Sequence, residues 1–135
     1  MSQGKNDALL LGDGDGIQKE LERRLFAGDL EEVSRFSRAL KDAIEELALR
    51  ARITIGAETV FAGGDDVLLI APKTKCTNDL ILPLLEQYKA KTGVSISFGI
   101  GLTIDAAYVN LRRAKARGGG VVEGLPNGTH IHKLS

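Results

Sequence analysis

The stretch AETVFAGGDDVLLIA, Ala57–Ala71, decides the fold. Ile53, Ile55 and Ala57 alternate with Thr54 and Gly56, which predicts a strand from Ile53 to Phe61 facing a core on one side. Ala62-Gly63-Gly64-Asp65-Asp66 is a tight turn, and Val67–Ala71 is an apolar return strand. The segment is a β-hairpin that carries Asp65 and Asp66 at its tip.

Working outward, Ala8–Gly12 is a short apolar run, stopped by Gly12 and Gly14, that suits a buried central strand. Ile17, Leu21 and Leu25 recur every four residues and mark a short amphipathic helix. Leu30, Val33, Phe36, Leu40, Ile44 and Leu47 give a second, longer one, opened by Asp29 as cap with Glu32 in the capping-box position. Beyond the hairpin, Leu80–Lys91 reads as a helix whose start is blurred by Pro83. Val94, Ile96, Phe98, Ile100 and Leu102 alternate with small or polar residues in a further strand. A helix over 105–117, a stop at Gly118–Gly120 and two short strands turned by Pro126-Asn127-Gly128 complete the chain. The order is a split βαβ pattern with an added helix, that is, an α+β ferredoxin-like antiparallel sheet with helices on one face. One domain spans 1–135, with its core at about 7–120 and a hairpin over 121–135.

Right-handed crossovers set the first strand centrally, antiparallel to the return strand of the hairpin. The end of the first strand, Asp13-Gly14-Asp15-Gly16, then lies beside Asp65 and Asp66, although about fifty residues separate the two pairs. Carboxylates that close repel unless cations intervene, and oxygen-only ligands favour magnesium. Two such ions activate a hydroxyl and neutralise a phosphate under displacement. Glycine and aspartate are ordinary turn residues, so either motif alone reads as a turn; their adjacency in this fold favours the metal. A calcium EF-hand loop fails at 13–24, because Ile17 occupies a ligand position and Arg24 stands where a bidentate Glu belongs.

The formal net charge is zero across 135 residues, which argues against a large basic footprint for duplex nucleic acid. The lone Cys76 excludes an intrachain disulfide. With no leader and no long apolar run, it points to a cytoplasmic protein that does not span a membrane.

Gly12–Gly16, Gly63–Asp66 and the stretch from Ser95-Ile96-Ser97-Phe98-Gly99 to Ala114-Lys115 resemble the minimal CRISPR polymerase family. These are relatives of the palm domain in the large subunit of type III CRISPR complexes and of GGDEF diguanylate cyclases. The resemblance implies a magnesium-dependent nucleotidyltransferase that joins ATP into a cyclic oligonucleotide signal, a cyclic oligoadenylate or cyclic dinucleotide, for antiviral defence. It implies two Mg2+ ions, with Mn2+ as a substitute, on Asp13, the Gly14 carbonyl, Asp65 and Asp66. Asp65 and Asp66 are its catalytic residues, and Asp65 is the better candidate to deprotonate the attacking hydroxyl. Nucleotide contacts fall to Asp15, Gly16, Gly63, Gly64, Ser97 and Lys115, with Leu21 and Asp29 in a base pocket. Leu21 cannot hydrogen-bond guanine, which leaves adenine favoured. Ring closure from two triphosphates implies a homodimer or higher oligomer, and the product implies a downstream receptor.

Among the remaining residues, Lys115 belongs at the catalytic edge, because its helix runs back along its strand for about 20 Å. Ser97 and Gly99 face an open sheet or a packed helix, and Tyr108 reads as core. His130 and His132 share a strand face without a third ligand. Two other functions fit the same elements: a silent nucleotide-binding palm, or an RNA-binding ferredoxin-like module. The carboxylate set argues against the first. The absence of aromatic residues at Ser95, Ser97 and Gly99 argues against the second.

Overall fold

The computed structural model describes residues 3–125 and 128–133, and their side chains for 3–120 and 122–124. Its elements are β1 (Asp7–Gly14), α1 (Ile17–Phe26), α2 (Leu30–Ile55), β2 (Glu58–Ala62), β3 (Asp66–Pro72), α3 (Asn78–Thr92), β4 (Ile96–Gly101), α4 (Ile104–Ala116), β5 (Val121–Leu125) and β6 (Gly128–Lys133). The six strands form one sheet in the order β2-β3-β1-β4-β5-β6. Strand β1 is central and antiparallel to both β3 and β4, so the split βαβ reading holds. The family of folds is α+β, as expected.

Three boundaries differ from the sequence reading. Residues 53–55 form the last turn of α2, not the start of a strand. Leu47, Ala51 and Ile55 are all buried and extend the helical stripe at a spacing of four. That burial outweighs the β-propensity of isoleucine, a preference that depends on context. Thr54 Oγ1 donates to the Arg50 carbonyl at 2.8 Å, and Gly56, at φ 67°, ends the helix in the left-handed region. Helix α3 begins at Asn78, with Pro83 in its second turn. A proline there costs about 3 kcal/mol, which the burial of Ile81, Leu84 and Leu85 at about 1.5–3 kcal/mol each offsets. In α1, Ile17 and Leu21 pack on the core, but Leu25 and Phe26 are exposed.

The strand pattern divides the residues between two faces. Ala8 and Leu10 of β1 join Val67 and Leu69 of β3 and Phe98 and Ile100 of β4. They meet Phe36, Leu40, Ile44 and Leu47 of α2 and Ile81, Leu85 and Tyr88 of α3 in the main core. On the other face, Leu9, Ile70 and Ala107 form a smaller cluster beneath α4. The helices therefore do not share one face, which corrects that part of the expectation. The cause is Gly99 and Gly101: a Cβ on Gly99 would collide with the Ala107 carbonyl and the Leu111 amide, so glycine lets α4 lie directly on β4. Tyr108 lies on the outer side of α4 and is exposed, not core.

Strand β5 runs parallel to β4 and β6 returns antiparallel to β5. Val122 is buried in the main core, so the core continues past Gly120. Pro126 and Asn127, read as a turn, lie outside the described residues, as do the side chains of His130 and His132. Among the described residues, no helix is long and apolar enough to cross a membrane.

Candidate metal and nucleotide site

The end of β1 and the β2–β3 turn are held together by main-chain bonds. Asp13 stands opposite Asp66 in the ladder, the Gly14 amide donates to the Asp65 carbonyl at 2.8 Å, and the Gly63 amide closes the turn on the Asp66 carbonyl at 2.8 Å. As a result Asp13, Asp65 and Asp66 each offer a carboxylate oxygen within 4.8 Å of the others. All three are half-buried.

The charges in this site are not balanced. Burial raises the Asp13 carboxyl above its ordinary value; Lys115 offsets part of that, and the charges of Asp65 and Asp15 add to it. One ammonium group does not fully compensate the cluster. Three carboxylate oxygens at strand ends are hard donors, so the residues fit a divalent cation of the magnesium or manganese type.

Lys115 reaches the site from the last turn of α4. Its Nζ donates to the carbonyls of Asp13 at 2.9 Å and Gly14 at 2.8 Å and to Asp15 Oδ1 at 2.7 Å, and lies 3.2 Å from Asp13 Oδ2. The Gly14 carbonyl, expected to face a metal, thus accepts from this lysine.

Asp15 and Ser97 are bonded to each other within the protein. Asp15 Oδ2 accepts from Ser95 Oγ at 2.7 Å, from Ser97 Oγ at 3.0 Å and from the Gly120 amide at 2.7 Å. Its Oδ1 accepts from Ser97 Oγ at 2.9 Å and from Lys115. Burial pushes its carboxyl upward, but Lys115, Ser95 and the Gly120 amide together overcome this and hold it below its ordinary value. Asp15 thus ties together β1, β4 and the segment after α4. Ser97 is fully buried and donates its hydroxyl to Asp15, because of the two alternatives for its face, open sheet or packed helix, α4 realises the second.

Gly16, at φ 66°, is the N-cap of α1, with no side chain to cap the helix amides. A Cβ on Gly63 would require the Asp66 carboxylate to shift, whereas Gly64 faces open space. Leu21 is half-buried against the core, and Asp29 caps α2 by accepting from the Glu32 amide at 3.1 Å. An open cleft of about 420 Å³ lies between α2 and the turn, lined by Ser37, Arg38, Lys41, Glu45 and Ala62–Gly64.

The sequence reading missed three contributors. Ser95 and Gly120 complete the Asp15 tether. Glu123, read only as part of a tail strand, is buried and accepts from Arg117 Nε at 2.8 Å, tying β5 to the end of α4. No local pattern marks Ser95 or Gly120, whereas a glutamate inside an apolar strand is itself a signal of a buried pair.

The fold is similar to the Csm1-Csm4 cassette in complex with pppApA, with TM-score 0.74 and 15% identity over 90% of this chain and 21% of that one. This chain therefore spans about a fifth of that relative's length. It is also similar to the guanylyl cyclase domain of the RhoGC fusion protein from the aquatic fungus Blastocladiella emersonii, with TM-score 0.61, 12% identity and coverage of 87% and 77%. A diguanylate cyclase/phosphodiesterase from Caldicellulosiruptor saccharolyticus follows, with TM-score 0.56, 15% identity and coverage of 91% and 78%. At these identities the likeness is one of fold. The curated proteins provide no match. The model of the mCpol family, the minimal CRISPR polymerase domain, matches residues 9–125.

Proposed function

The chain belongs to the minimal CRISPR polymerase family, and from that premise we propose that it is a nucleotidyltransferase joining ATP into a cyclic oligonucleotide signal for antiviral defence, with magnesium as its cofactor. The observation that carries the reading is the convergence of Asp13, Asp65 and Asp66 within 4.8 Å. Divalent ions bound there would neutralise the triphosphate and make the attacking ribose hydroxyl more acidic. A 3′- or 2′-hydroxyl of one nucleotide attacks the α-phosphorus of another. The new P–O bond replaces the bond to pyrophosphate, which leaves, and the hydroxyl proton passes to a carboxylate, for which Asp65 is the candidate. Lys115 holds positive charge beside the carbonyls of Asp13 and Gly14, where it supports the phosphates.

Adenine is favoured over guanine because Leu21 offers no hydrogen bond to a base edge. One carboxylate cluster holds one activated triphosphate, so a second copy of the chain presents the other nucleotide, and each site serves its partner. The product then acts through a separate receptor in the cytoplasm.

The test is incubation of the purified protein with each nucleoside triphosphate and Mg2+, followed by mass spectrometry of the products. A cyclic adenylate is expected from ATP, with specific activity rising with protein concentration and then levelling off. Absence of any joined nucleotide from all four substrates refutes the reading. A specific activity independent of concentration, down to where only monomers exist, refutes the paired sites.

A further inference from the structure

Tyr88 of α3 is 2% exposed, and its ring belongs to the main core. Its hydroxyl is buried and has no hydrogen-bond partner among the described residues. Buried hydroxyl groups are almost always paired, because an orphan forfeits hydration and gains nothing in return. A phenylalanine would fill the same place in the core without that cost.

The surroundings of the hydroxyl indicate its use. A Cβ built on Gly14 would stand 2.7 Å from Tyr88 Oη and 2.9 Å from Ile17 Cδ1. Oη therefore lies directly beneath the β1–α1 loop, at the residue after Asp13, where only glycine leaves room. Across from Gly14 is Asp65, whose carbonyl accepts the Gly14 amide at 2.8 Å. Burial, then the charges of Asp65, Asp13 and Asp15, hold the phenol far above its ordinary value, so it remains a neutral O–H donor. An uncommitted donor thus stands beneath Gly14, the residue that follows Asp13.

We propose that Tyr88 is a positioning residue of the metal site, its hydroxyl donating to an oxygen in the shell of the cation that Asp13, Asp65 and Asp66 hold. That oxygen belongs either to a metal-bound water or to a nucleotide phosphate. The inference rests on the metal reading above and adds a group from the opposite side of the sheet, which the carboxylates alone do not require. It also explains why the hydroxyl is retained: the donor is unpaired until the site fills.

The experiment compares wild type, Tyr88→Phe and Asp65→Asn by thermal denaturation in EDTA, in Mn2+ alone, and in Mn2+ with a non-hydrolysable ATP analogue. In EDTA, Tyr88→Phe is expected to melt at the wild-type temperature or a few degrees above it, since the lost hydroxyl had no partner. Its affinity for the ligand is expected to fall by about tenfold or more, the usual worth of a hydrogen bond in a charged setting. A loss already present with Mn2+ alone identifies the oxygen as water; a loss confined to the nucleotide arm identifies it as phosphate. Equal affinities of Tyr88→Phe and wild type in both arms overturn the proposal. So does a lower melting temperature in EDTA, or failure to fold, because the hydroxyl would then already have a structural partner. A wild type that responds to neither ligand overturns the metal reading together with this one. A responding wild type, matched by Tyr88→Phe but not by Asp65→Asn, overturns this inference alone.

Discussion

Asp15→Asn is expected to destabilise the protein by about 3–5 kcal/mol at neutral pH. The Asp15 side chain is 13% exposed, and it accepts from two serine hydroxyls, one ammonium and one main-chain amide. Hydrogen bonds to a charged group contribute about 1.5–3 kcal/mol each. Asparagine keeps one acceptor oxygen but turns an NH2 group toward donors, which removes at least two of these bonds. It also leaves Lys115, itself 29% exposed, with one anionic partner fewer; breaking such a pair typically costs about 3–5 kcal/mol. Domains of this size are stable by about 5–15 kcal/mol, so the melting temperature should fall by roughly 10–20 °C. The acid dependence supplies a second check. A carboxyl held below its ordinary value stabilises the fold above the unfolded pKa, and that contribution is lost as pH falls through the folded pKa. The gap between wild type and variant should therefore be full at pH 7 and narrow steadily in acid below about pH 4. Denaturation in EDTA, which removes divalent ions from the comparison, measures both. A difference under about 1 kcal/mol at pH 7, or a gap unchanged at pH 3, would refute the tether.

Asp65→Asn and Asp66→Asn should each keep the fold, since both residues are only half-buried and lie outside the core clusters, and lower synthesis about a hundred- to thousand-fold. Near-normal turnover by both would contradict the carboxylate mechanism. Gly99→Ala forces a methyl group into the main chain of α4 and should cost about 1–3 kcal/mol or more, read as a lower denaturation midpoint. An unchanged midpoint would mean that α4 does not lie on β4 as described. Cys76 is buried, and burial followed by the charge of Asp7 pushes its thiol up to about 11. Iodoacetamide at pH 8 should leave it unmodified in the folded protein and label it in denaturant, whereas rapid native labelling would show the thiol to be accessible.

Much of the topology is local information. Alternation in Ser95–Gly101, the glycine-flanked run Ala8–Gly12 and the Gly-Gly-Asp-Asp turn mark strands and a hairpin by themselves, and handed crossovers then bring Asp13 to Asp65 and Asp66. Other features were settled only when the elements packed. Residues 53–55 alternate like a strand, yet Ile55 gains more by burial at the end of α2 than by pairing at the edge of a sheet. The glycines of β4 suit an open face or a close helix equally well, and only the docking of α4 decides that Ser97 is buried. Asp15 and Asp13 are two residues apart and chemically identical. Sequence resemblance gives Asp13 to the metal and Asp15 to the nucleotide; in the fold Asp13 pairs with the hairpin, while Asp15 lies beyond β1 among Ser95, Ser97, Lys115 and the Gly120 amide. Those partners come 80 to 105 residues later in the chain. A carboxylate's role depends on the charges and donors that surround it, and here that environment exists only in the folded protein.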